Sequence, residues 1–330
     1  MSQFWILFLA LDVIGIVSLL NGVFTSSLIL IVIFRKFTGH HVIGNLLLAN
    51  TCVCTIELCI SNLIIYGHII MNDIFPNATI TNTYDQQVLC PLRSYFLFTG
   101  FSLLYTSYCL QAYYRLLQVI FYKKQYSYIT FVFWCCFQWI FSFLLVLPML
   151  LTRAFVYIPT EFFCPIPFTK PISVTYIAVS VYGVFIAIFV SIYAWIYVYT
   201  RQTTSITVKR RRTIDRHFTM LKRMVLPTFS LMFLGIVYLT LFFQAIRNQY
   251  QTHYLTYRLS YVFIAIGMSF IHVITILQTP AIKEAIWKLL SCSKDAMKKS
   301  EERTTSLGGN TTTNVQQPSI DEEKLSLRKP

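Results

Sequence analysis

The chain has 330 residues, of which 56% are hydrophobic and only 12% charged, against about 25% charged in a soluble domain. Such a chain cannot present a water-compatible surface over its whole fold, so lipid must cover much of it. Its net charge of +14 would suit nucleic acid, but the placement of the basic residues, given below, argues against that partner.

Seven runs reach the roughly 20 mostly apolar residues that a membrane-crossing helix needs: 11–34, 43–66, 94–121, 128–150, 172–198, 224–246 and 256–278. They are too long, and alternate too little, for barrel strands. The expected fold class is therefore an all-α membrane protein, a seven-transmembrane helix bundle. Residues 1–10 form a short segment before it. The start "MSQFWILFLALDVIGIVSLL" competes as a signal peptide. It has no Lys or Arg in its first residues, and its apolar character continues to Phe34, beyond the about 7–15 residues of a signal peptide's apolar core.

Lys and Arg fix the expected orientation. One set of connections holds Arg35, Lys36, Arg115, Lys123, Lys124, eight residues in 199–223 and nine after 279, which is 22 in all. The other set holds Arg93, Arg153, Lys170, Arg247 and Arg258. The first set is expected in the cytoplasm, facing anionic lipid, with the N-terminus outside. Asn77, in "NAT", is then a glycosylation candidate on the outer side, while "NTT" at Asn310 is not. Of nine cysteines, six (Cys52, Cys54, Cys59, Cys109, Cys135, Cys136) fall inside the apolar runs and Cys292 is cytoplasmic. Only Cys90 and Cys164 lie on the oxidising side, where a disulfide forms.

The third run ends in "AYYRLLQ". At about 1.5 Å per residue, the 25 residues from Cys90 to Arg115 span roughly 37 Å, one membrane with its interfaces. Arg115 thus belongs at the cytoplasmic mouth of the bundle. Its plainest reading is a cation whose stem reaches interfacial water.

Taken together, these features resemble the rhodopsin-like G-protein-coupled receptors over about residues 11–292. That family has a Cys at the outer end of helix three and an Asp-Arg-Tyr-like triplet whose Arg follows 25 residues later, here Tyr114-Arg115-Leu116. The family's partner Cys resembles Cys164, and its helix-four Trp and Pro resemble Trp139 and Pro148. The chain departs from the family at several places. Tyr114 stands where an acid is usual, Ser26 where helix one has Asn, and Thr55 where helix two has Asp. In "PTFSLMFLG", Phe229 and Phe233 fall on the family's helix-six Phe and Trp, and Gly235 on its Pro, with Pro227 as an alternative kink. Helix seven has His272-Val273-Ile274-Thr275-Ile276 in place of Asn-Pro-x-x-Tyr.

The resemblance implies an extracellular ligand and a heterotrimeric G protein as partners, no cofactor, and Arg115 with Tyr114 as the G-protein switch. The inner end of helix six offers Lys222 and Arg223, and the nearest acid there is Asp215. The expectation is a weakly latched resting state with basal signalling. Leu97 occupies the position where amine receptors of the family carry Asp, which argues against a monoamine ligand. Glu57 is the deep charge in the second run, either a functional acid or one kept protonated by neighbours such as Ser61 or Asn62. Phe101, Tyr105, Phe233, Tyr238, Tyr257 and Tyr261 are candidate pocket aromatics, with ordinary packing as the alternative.

"TPAIKEAIWKLLSC" reads as a short amphipathic helix over 280–291 on the cytoplasmic membrane face, and Cys292 as its palmitoylation candidate. The tail 293–330 is polar and expected to be disordered. Its Ser300, Thr304, Thr305 and Ser306 are phosphorylation candidates through which an arrestin could be recruited. No motif of an enzyme appears in the chain. Two rival functions are a transporter or channel, which calls for internal repeats and several pore-facing charges, and a decoy receptor that binds without signalling.

Overall fold

The computed structural model describes residues 2–35, 42–74, 85–120, 126–159, 162–202 and 255–278, and eight single positions between 229 and 247. The first helix, α1 (Ser2–Arg35), is followed by α2 (Val42–Ile74). A π-helical turn (Asp85–Leu89) leads into α3 (Cys90–Ile120), and then α4 (Tyr128–Leu151). One span is built in three pieces: α5 (Pro171–Ile177), a π-helical segment (Ala178–Gly183) and α6 (Val184–Gln202). The last described helix is α7 (Leu255–Gln278).

Among the described residues, six helices are long and apolar enough to cross a membrane. The single positions Phe229, Ser230, Phe233, Ile236, Thr240, Phe243 and Gln244, inside the run expected at 224–246, and Arg247 just beyond it, are helical as well. Pro227, Tyr238, Asn77, Cys292, the 280–291 helix and the 293–330 tail lie outside the described residues.

Two helices are longer than expected. α1 begins at Ser2 rather than at residue 11, because "SQFWILFLAL" contains no helix breaker. α2 continues past residue 66 to Ile74, through "YGHIIMNDI". Polarity does not end a helix, and the first proline downstream is Pro76. α3 starts on Cys90 with Pro91 beside it, a position where the missing N–H is not needed.

The bundle is organised on α3, which packs against α2, α4 and α6, while α1 packs against α2 and α7. Most of α3 is buried, from Cys90 to Val119. The outer helices turn large apolar side chains outward instead, among them Phe24, Ile129, Phe133 and Trp195. That inversion suits a bundle solvated by lipid tails, where every helix backbone satisfies its own hydrogen bonds. Glycine permits the closest approach. A Cβ on Gly15 of α1 would lie 2.7 Å from the Tyr66 hydroxyl of α2, which explains how these two helices meet side to side.

Candidate functional site

The two ends of α3 carry different chemistry. At its first residue, Cys90 is disulfide-bonded to Cys164, with Cα atoms 5.6 Å apart. Cys164 lies in the segment between α4 and α5, which folds back on itself. Ile158 N donates to the Phe163 carbonyl at 3.0 Å, and Val156 N to the Pro165 carbonyl at 3.2 Å. Phe162 takes a left-handed backbone, φ 56°, at the turn of this hairpin.

The returning arm is a stopper in the end of the bundle. Phe163, Cys164, Ile166 and Phe168 are all buried. Phe163 meets Tyr261 of α7 edge-on, centroids 4.9 Å apart, and Phe168 stacks on Tyr257 at 5.1 Å. The Tyr257 hydroxyl accepts from the Phe168 N–H at 3.1 Å. Ser94 of α3 donates to the Cys164 carbonyl, and His68 Nδ1 of α2 lies 3.2 Å from the Phe162 carbonyl. Beneath the arm, Phe101 and Tyr105 pack on Tyr182 at 6.3 and 5.3 Å, and Leu97 is buried. The candidate pocket residues Leu97, Phe101 and Tyr261 are therefore brought together, but as one packed aromatic cluster under the arm. A cavity lined by His68, Arg93, Ser94, Phe163 and the disulfide holds about 10 Å³, room for about one water.

Beside this cluster sits a group of charges. Arg258 of α7 donates from Nη1 to Asp12 of α1 at 3.4 Å, and its Nη1 and Nη2 reach Asp73 of α2 at 3.0 and 3.2 Å. Arg258 is 4% exposed, Asp12 1% and Asp73 17%. The guanidinium also lies over the Phe8 ring, 4.4 Å from its centroid. Asp12 Oδ1 is buried and accepts no hydrogen bond among the described residues. Glu57 is thus not the sole buried charge within the apolar runs, contrary to the sequence-based expectation. Arg258 enters the sequence reading only in the count of basic residues that sets the orientation, and Asp12 does not enter it.

Glu57 itself lies near the middle of α2. One carboxylate oxygen accepts from Ser61 at 3.2 Å, and the other has no hydrogen-bond partner among the described residues. Asn62 donates instead to the Leu58 carbonyl. The carboxylate rests against Gly100 of α3, where a Cβ would strike it and would come within 3.1 Å of Leu58 Cα. Glu57 therefore lies in the seam between α2 and α3.

Polar side chains rivet α2, α3 and α4 together. Trp139 Nε1 donates to Asn50 Oδ1 at 3.1 Å, Asn50 donates to Gln138 Oε1 at 3.0 Å, and Gln138 donates to the Leu103 carbonyl at 2.9 Å. Gln111 donates to Thr51. Thr55 and Thr25 return to their own helix carbonyls, while the Ser26 hydroxyl is buried without a hydrogen bond among the described residues.

At the far end of α3, Tyr114 and Arg115 point in different directions. Tyr114 is 8% exposed and stands edge-on to Phe131 of α4, centroids 5.1 Å apart, among Leu47, Leu110 and Cys135. Arg115 is half-buried. Its Nη1 donates to Gln118 Oε1 at 3.2 Å, and Gln118 Nε2 donates to the Tyr114 hydroxyl at 2.6 Å. Gln118 is a contact that spacing and resemblance passed over. The available signal was its i+3 and i+4 relation to Arg115 and Tyr114, which puts it within reach of each of them.

Phe229 and Phe233, within the run expected as the sixth span, are 63% and 58% exposed. Ile236, Thr240, Phe243, Gln244 and Arg247 are exposed with them, so the described positions of this run turn a mixture of apolar and polar side chains outward.

No protein-family model matches the chain, and no curated protein matches it in sequence. Solved structures do match. The crystal structure of squid rhodopsin superposes with a TM-score of 0.69 over 88% of this chain and 87% of that one, at 11% identity. The fold is that of rhodopsin. In this rhodopsin fold, the stoppered end with its disulfide and the Arg115 end are the two faces of one membrane bundle.

Proposed function

We propose that the chain is a G-protein-coupled receptor. A stimulus at the disulfide end shifts the packing of the helices, and a heterotrimeric G protein reads the shift at Arg115. The observation that carries this reading is Arg115 at the end of α3 opposite a disulfide-anchored start, 25 residues from Cys90, within a rhodopsin fold. Coupling is then a population shift between two packings, with no chemistry on the ligand.

The orientation follows from the basic residues: the Arg115 end is cytoplasmic and the disulfide end is outside, at the plasma membrane. Asn77 is then open to glycosylation. Cys292 carries palmitate, and the tail binds arrestin when phosphorylated. Leu97, buried under the stopper, offers no counter-charge to an amine, so a monoamine is not the ligand.

The charges of the disulfide end support this reading over a transporter. Arg258 is paired with both Asp12 and Asp73 at one end of the bundle, whereas a transport path needs charges along its length. The test is G-protein activation in cells across the Gα classes, comparing the chain with Arg115→Ala at equal surface expression. Activation that Arg115→Ala abolishes is the expected result. A wild type indistinguishable from untransfected cells, without ligand and across a broad ligand panel, refutes signalling and leaves the decoy.

A further inference from the structure

We propose that Gln118 is the positioning residue that holds Arg115 in the resting receptor, standing in for the carboxylate that Tyr114 replaces. The inference rests on the receptor reading above and deepens it.

Gln118 is one turn beyond the pair it joins, three residues from Arg115 and four from Tyr114, so its side chain can reach both although the two diverge from each other. Its amide has one accepting and one donating end. The oxygen takes the Arg115 Nη1 hydrogen at 3.2 Å. The nitrogen donates to the Tyr114 hydroxyl at 2.6 Å. The opposite amide orientation would point two N–H groups at a guanidinium, which has no acceptor. Arg115 therefore fixes the sense of the amide.

Tyr114 supplies the anchor. Its ring is wedged edge-on against Phe131 and enclosed by Leu47, Leu110 and Cys135, so its hydroxyl is a fixed point. Gln118 bridges from that point to the guanidinium. The arrangement ties Arg115 to its own helix, so a G protein that engages the guanidinium must first break the bond to Gln118. The bond to Gln118 is charged on the donor side alone, and a carboxylate in its place would add the attraction of an ion pair and a second accepting oxygen. The hold is therefore real but light.

Two substitutions at one position separate this role from simple packing. Gln118→Glu keeps both contacts: the carboxylate accepts from Arg115, and the Tyr114 hydroxyl turns from acceptor to donor. The hold tightens, and basal G-protein activation falls about fivefold. Gln118→Met keeps the length and removes both hydrogen bonds, and basal activation rises about two- to threefold. In an Arg115→Ala background neither substitution changes signalling. All are read at equal surface expression, and a merely structural role would lower both single variants alike. A thermal-unfolding cycle in lipid nanodiscs (wild type, Arg115→Ala, Gln118→Met and the double variant) reads the contact without signalling, and non-additive losses are expected.

If wild type signals through Arg115 but the two variants move together or not at all, the role of Gln118 is overturned and the receptor reading stands. If wild type activates no G protein, the receptor reading falls, and the gating role of Gln118 falls with it. Additive losses in the unfolding cycle overturn the contact itself, whatever the signalling shows.

Discussion

Replacing Arg258 by Met should be among the costliest single substitutions at the disulfide end. Arg258 is the shared partner of Asp12 and Asp73, at 3.4 and 3.0 Å. Without it two carboxylates remain, both gripped until then by the same guanidinium nitrogen and therefore at most about 6 Å apart. At an effective dielectric constant of about 20, their repulsion is roughly 3 kcal/mol. Stripping a buried pair of one partner costs about 3–5 kcal/mol by experiment. Asp73, at 17% exposed, is partly served by water, which puts the expected loss at the lower end, about 3 kcal/mol. The stacking of the guanidinium on Phe8 adds up to about 1 kcal/mol.

Neutralising all three positions (Asp12→Asn, Asp73→Asn, Arg258→Met) should recover most of that loss, because no charge is then left unpaired. The assay is thermal unfolding in lipid nanodiscs, followed by a thiol-reactive dye that reaches the buried Cys54 and Cys59 only as the bundle opens. An unchanged midpoint for Arg258→Met would refute the reasoning. So would a triple variant that melts below the single one.

Other outcomes follow from the same geometry. Separating Cys90 from Cys164 by Cys164→Ser frees a 74-residue link and lowers stability by at most about 4.5 kcal/mol on the chain-entropy estimate, read as a drop in the nanodisc melting midpoint. Tyr257→Phe removes the acceptor of the Phe168 N–H and should cost about 1 kcal/mol in the same melt. Gly100→Ala drives a methyl against the Glu57 carboxylate and the α2 backbone, with an expected loss of about 1–3 kcal/mol, visible as reduced surface expression. Glu57→Ala combined with it should restore part of that loss.

The apolar runs made the helices legible because lipid demands both length and greasiness of any spanning segment. The bundle's ends were less legible. "YGHIIMNDI" reads as a loop by polarity, yet α2 runs through it to Ile74, since a helix stops for backbone reasons and not for lack of grease. The charge group was hidden because Asp12 and Arg258 are 246 residues apart. What pointed to it was an acid in the first run and a base in the last, both near the same end. Phe229 and Phe233 show a different limit. In a helix that is apolar all round, periodicity cannot tell the face toward lipid from the face toward the bundle. Cys90 and Cys164 were legible because topology removed every other outward cysteine. Gln118 was not, because an uncharged residue after a prominent Arg draws no attention until its distances are known.

The π-helical segment Ala178–Gly183 gives its span an unusual tolerance. A π turn is an α-helix carrying one residue too many. Removing one residue there would let the stretch relax to ordinary α-helix while both flanks keep their facing. Val174 and Ile177 would still point at the aromatic cluster, and Ile196 would still meet Leu116 and Val119. The same deletion anywhere else in this span would rotate everything beyond it by about 100° and turn Ile196 out toward lipid. Among the sites in this helix, Ala178–Gly183 is the place where chain length can drift between descendants of this sequence without moving the Arg115 end.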